Sequence, residues 1–127
     1  MYYFFKYLGW VNITLLVLIV THFILIRVNR IGFSNKNKVL RKISILMSKI
    51  HPLLTIILTI TAFLHGFNLA GGIRPHSGYI AFLAILLQGI FGVLVKFTKK
   101  KPILLIHRFT GLAIVITVLV HVILMKT

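Results

Sequence analysis

Four histidines hold most of the chemistry this chain can offer. His51 and His65 bracket the apolar stretch HPLLTIILTITAFLH, and His107 and His121 bracket HRFTGLAIVITVLVH, of the same length. In each pair the second imidazole follows the first by fourteen positions. Neutral imidazole is a ligand for iron and other transition metals. On a helix, fourteen residues rise about 21 Å and complete two heptads, so both positions return to one seam of a left-handed bundle. If the two helices run parallel, His51 stands level with His107, and His65 with His121. Two levels of facing imidazoles, set in an apolar bundle, suit an iron porphyrin with two axial nitrogens at each level.

A flat macrocycle needs small side chains beside its ligands. Gly111 lies one turn after His107, and Thr55 occupies the matching place after His51. Thr110, Ala62 and Thr117 are also small and near the seam. Gly89 and Gly92 thin the third helix, and ordinary packing between membrane helices accounts for them.

The elements that must position these residues are transmembrane helices. The 127 residues are 59% hydrophobic, with 15 Lys and Arg and no Asp or Glu. Mean hydropathy is +1.05. The cations sit between long apolar runs, which excludes a nucleic-acid-binding face. Four spans of close to ~20 residues match the thickness of a bilayer core. They run about from Phe4 to Ile26, Ile50 to Leu69, Tyr79 to Phe97 and Ile103 to Met125. An open sheet would leave its edge amides unsatisfied in lipid, so the expected fold is an all-α integral membrane bundle of four helices in one domain. Before the second span, Val39, Leu40, Ile43, Leu46, Met47 and Ile50 recur at helical spacing. This segment either lies in the interface or extends the second helix from about residue 39, with Pro52 marking a start or a kink. The third helix is expected over about 77–97. Pro102 suits the first turn of the fourth, over about 102–125. The first span does not read as a cleaved signal, because its apolar run is long and no small-residue cleavage site follows.

Charge sets the expected orientation. Seven cations fall in the first connection and its helical flank, and five around the third, against three on the other side (Lys6, Arg74 and Lys126). By the positive-inside rule both termini face outward. The aromatic group Tyr2, Tyr3, Phe4, Phe5, Tyr7 and Trp10 fits an outer interfacial belt. There is no Cys, which removes disulfides, thiolate-bound iron–sulfur clusters and thioether haem attachment.

At this point the chain resembles membrane di-haem b-type cytochromes. Two helices each carrying H-x13-H look like the core of respiratory cytochrome b and of the transmembrane domain of ferric reductases and NADPH oxidases. HRFTG at His107 is similar to the ferric-reductase helix. The likeness covers mainly the second and fourth helices. It implies two non-covalent haems b, with His51 and His107 as axial ligands of the inner one and His65 and His121 of the outer one. It also implies electron transfer across the membrane by a cytochrome subunit of a respiratory or reductase system. These 127 residues contain no counterpart of the flavin and nucleotide domain, or of the quinone-site segments, so no substrate carries over. A cytoplasmic flavoprotein or a quinol would donate electrons, and an extracytoplasmic acceptor would receive them. Membrane lipid and an oligomer or larger redox complex are the other expected partners, in the plasma membrane of a prokaryotic cell.

The remaining polar residues are weaker signals. Arg108 and Lys49 flank the inner ligands and Arg74 lies near the outer ones, where haem propionates would sit; the topology bias alone also explains them. His22 reads as structural or as a neighbour of the inner haem, and His76 as a local cap or hydrogen-bonding group at the outer end. The rival readings are a metal-ion transport subunit and a haem-free membrane anchor. Metal transporters usually add carboxylates or thiols, and this chain has neither.

Overall fold

The computed structural model describes residues 2–72 and 76–125, with nothing stated for the side chain of Tyr2. Arg74 and Lys126 lie outside the described residues. Four helices follow in order: α1 (Tyr2–Gly32), α2 (Lys38–Ala70), α3 (Ser77–Thr98) and α4 (Lys101–Leu124). Each is long and apolar enough to cross a membrane, as the four hydrophobic runs predict.

Local chemistry sets the ends. Asn37 caps α2, its Oδ1 accepting from the backbone N–H of Val39 and Leu40 at 3.0 and 3.1 Å. Gly71 ends α2 at φ 66°, and its N–H donates to Phe67 O. Lys99, at φ 52°, closes α3 in the same way onto Val95 O. Pro102 occupies the first turn of α4. His76 stands at the N-cap position of α3, but its side chain makes no capping hydrogen bond.

Two boundaries extend past the apolar runs. α1 continues through RVNRIG to Gly32, several residues beyond the run that ends near Ile26. α2 starts at Lys38 and passes through Pro52 without a break, so the amphipathic segment extends the second helix rather than forming a separate interfacial one. Helices in lipid tolerate such a proline because neighbouring groups satisfy the freed backbone.

α1 packs along α2, α3 along α4, and α2 against α3, whereas the backbones of α2 and α4 scarcely approach each other. The bundle is thus two helical hairpins joined through α2 and α3, with α2 and α4 meeting through side chains in the core. Its core is small: Leu58, Ala62, Ile85 and Ile114, with Leu15, Leu16, Ile19, Phe82, Ala84 and Val118 packed around them. Large apolar side chains such as Phe109, Leu119 and Ile60 lie on the outside. Lipid tails solvate these as well as a protein core would, so close packing and interhelical hydrogen bonds are what hold the helices together. Thr61 Oγ1 donates to Asn12 Oδ1 at 2.6 Å between α1 and α2. Gln88 Nε2 donates to His107 O at 2.8 Å between α3 and α4, and Thr110 Oγ1 donates to Gln88 Oε1.

Two levels of imidazoles as the candidate functional site

Each fourteen-residue spacing has a midpoint one heptad from either histidine. Leu58 is the midpoint between His51 and His65, and Ile114 is the midpoint between His107 and His121. These are the two most buried core side chains, at 3% and 4% exposure. The middle residue of each H-x13-H stretch therefore faces the bundle interior, and positions one heptad either side share its seam. All four histidines are partly buried.

At the inner level, the rings of His51 on α2 and His107 on α4 lie 6.4 Å apart between centroids, with planes crossing at 77°. Two imidazoles that share one metal atom, with bonds of about 2 Å, hold their centres roughly 6 Å apart, and rotation about those bonds leaves the angle free. His22 on α1 adds a third ring, 5.7 Å from His51. The Nδ1 atoms of His22, His51 and His107 are buried with no hydrogen-bond partner among the described residues. A buried polar atom without a partner costs free energy, and coordination to a metal is one way to satisfy it.

The outer level is built differently. His65 Nδ1 lies 2.7 Å from Phe5 O of α1. A carbonyl can only accept, so Nδ1 is the donor and Nε2 is the nitrogen left to face a ligand, as in metal-ligating histidines. His121 Nδ1 shares a hydrogen bond of 2.8 Å with Ser77 Oγ at the start of α3. At the inner level, then, α2 and α4 supply neighbouring imidazoles, whereas at the outer level His65 is tied to α1 and His121 to α3. The inner pair has the centroid separation of two imidazoles on one iron, so the residues present there fit a macrocycle held by one imidazole on each side.

Glycines make room for these rings. A Cβ on Gly9 would come 2.8 Å from His65 Cε1, and one on Gly78 would come 3.0 Å from both His121 Cε1 and His76 Nε2. A Cβ on Gly92 would meet His107 Cε1 at 3.4 Å. Gly92 thus lies beside a candidate ligand, while Gly89 faces open space. Gly111 serves another neighbour: its missing Cβ admits Gln88 Nε2, which a Cβ would meet at 2.9 Å.

The other sequence candidates are distributed as follows. Thr55 Oγ1 donates to His51 O one turn back at 2.9 Å, and Thr117 Oγ1 to Ala113 O at 2.8 Å. Ala62 belongs to the core. Arg108 and Lys49 are exposed next to the inner level. Sequence reasoning did not single out Gly9, Gly78, Ser77 or Gln88. Gln88, an uncharged polar residue in the middle of an apolar run, was the one visible signal among them. Comparison with protein-family models, with curated proteins and with solved structures gives no match to this chain.

Proposed function

We propose that this protein is a membrane cytochrome subunit that carries electrons across the bilayer by means of two non-covalent haems b, each held by a pair of imidazoles. One observation carries the reading: the rings of His51 and His107 lie 6.4 Å apart between α2 and α4, and each helix carries a second histidine fourteen residues on, past the buried Leu58 and Ile114. The levels are separated by about 21 Å of helix rise. When bound, haem iron supplies reversible one-electron exchange. The rest is the work of the chain. His51 and His107 hold the inner position, and His65 and His121 the outer one. Phe5 O and Ser77 Oγ orient the outer imidazoles through hydrogen bonds at Nδ1. Gln88 fixes the turn of α4 that carries His107. The aliphatic layer between the levels excludes water.

The donor set supports a macrocycle over a bare ion. The 127 residues include no Cys, Asp or Glu to complete a bare-ion site beside the imidazoles. A bare divalent ion usually takes four ligands from the protein or from water, whereas a porphyrin brings four of its own nitrogens and needs only the axial pair. The charge bias puts the α1–α2 and α3–α4 turns on the cytoplasmic side, with both termini outside. Electrons then come from a cytoplasmic flavoprotein or a membrane quinol, and pass to an extracytoplasmic acceptor.

A reduced-minus-oxidised absorption spectrum of the purified protein, with haem counted per chain, tests this. We expect two b-type haems per chain. A colourless preparation after expression with ample haem would return the histidines to metal transport or helix packing.

A further inference from the structure

A cavity of about 440 Å³ opens between the inner ends of α1 and α2. His22, Asn29, Asn35, Arg41, Ser44 and Ser48 line it, together with two isoleucines. Three polar atoms of this lining are buried without a hydrogen-bond partner among the described residues. Asn29 is 5% exposed, and its Oδ1 has no partner. Ser44 Oγ and His22 Nδ1 are likewise buried and unpartnered. The turn below is folded onto the same residue: Asn35 N–H donates to Asn29 O at 2.8 Å.

Depth and charge narrow the occupant. His51 lies thirteen residues into α2, whereas His107, at the same level, lies six into α4. The α1–α2 hairpin therefore projects about seven residues, or ~10 Å, beyond the α3–α4 hairpin on this side. Ser44 and Asn29 each stand seven residues below the imidazole level, close to the depth of Lys99, Lys100 and Lys101. That depth is the headgroup layer, a few ångströms outside the hydrocarbon core. Seven cations crowd the hairpin and its flanks, and the chain has no carboxylate side chain to pair with Arg41. None of these 127 residues has a side chain that supplies a counter-charge. A guanidinium, hydroxyls and a carboxamide (whose N and O exchange by a half-turn) form the donor set that takes an oxyanion.

We propose that this cavity binds a phosphate group, supplied by the headgroup of an anionic phospholipid of the inner leaflet. Arg41 meets the phosphate charge, while Ser44, Ser48 and Asn29 bond its oxygens and the adjoining headgroup hydroxyls. Free phosphate has the same chemistry and is the alternative source. The inference goes beyond the electron-transfer reading and does not depend on it, because the binding is measured on haem-free and haem-loaded protein alike.

The test reconstitutes the full chain in phosphatidylcholine bilayers containing a minor share of phosphatidylglycerol, then counts retained lipid by native mass spectrometry. Wild type should keep phosphatidylglycerol, and the double variant Arg41→Gln, Ser44→Ala should lose it roughly ten-fold or more. In parallel, inorganic phosphate is titrated into lipid-free detergent samples and followed by phosphorus NMR. Phosphate binding by wild type alone, without lipid retention, assigns the site to free phosphate. Equal behaviour of wild type and variant in both arms overturns the proposal. Should the double variant fail to fold, Arg41→Gln at this exposed side chain carries the same comparison.

Discussion

At the scale of single residues, the four histidines separate into two pairs with distinct consequences. On the two-haem proposal, replacing His51 or His107 with Leu should remove the inner haem, and replacing His65 or His121 should remove the outer one. In each case haem content falls from two to one per chain, as read by pyridine haemochrome. Retention of both haems in all four variants would dissolve the pairing. The glycines allow a finer test. Gly9→Ala puts a Cβ 2.8 Å from His65 Cε1, too close to keep the ring where it is. We expect it to alter the outer haem's absorption band or lower its occupancy. Gly89→Ala, which meets nothing within 4 Å, should leave the spectrum unchanged. The spacing of the histidines is legible in the sequence because helix periodicity is local. The glycines that admit their rings are not, because Gly9 and His65 meet only once α1 has folded back along α2.

At the scale of elements, the bundle relies on a few polar ties in place of a large core. Gln88 joins α3 to α4 through His107 O and Thr110. Gln88→Leu should lower unfolding stability in mixed micelles by about 1 kcal/mol, in keeping with interhelical hydrogen bonds in membranes. It should also loosen the inner level more than the outer. A loss of stability with inner and outer haem affected equally would assign Gln88 to general packing. The single helix α2 shows where local signals are ambiguous. Its amphipathic start fits an interfacial segment as well as an extension, and Pro52 fits a start as well as an interior position. Packing of the whole of α2 along α1 decides for one continuous helix.

For the whole molecule, the decisive asymmetry is electrostatic. The α1–α2 and α3–α4 turns and their flanks hold twelve of the fifteen cations. The chain has no cysteine, so single introduced thiols report topology cleanly. Ser34→Cys and Thr98→Cys should react with an impermeant maleimide only from the cytoplasmic side of intact cells or oriented vesicles. Asn68→Cys should react only from outside. The reverse pattern would invert the orientation and exchange the inner and outer imidazole levels.

The sequence by itself determined the number of helices, their lengths to within a few turns, and the two histidines on one face of each of α2 and α4. Those follow from hydropathy and helical period, which are properties of neighbouring residues. Tertiary structure decided the rest. It set which carbonyl and hydroxyl orient His65 and His121, and which glycines give the rings room. It also buried Asn29 and the Ser44 hydroxyl beside a cavity at the inner ends of α1 and α2. Each of these depends on residues brought together across turns, such as Phe5 with His65 and Ser77 with His121, sixty and forty-four positions apart. Their meeting is fixed by the register of one helix against another, which no local pattern encodes.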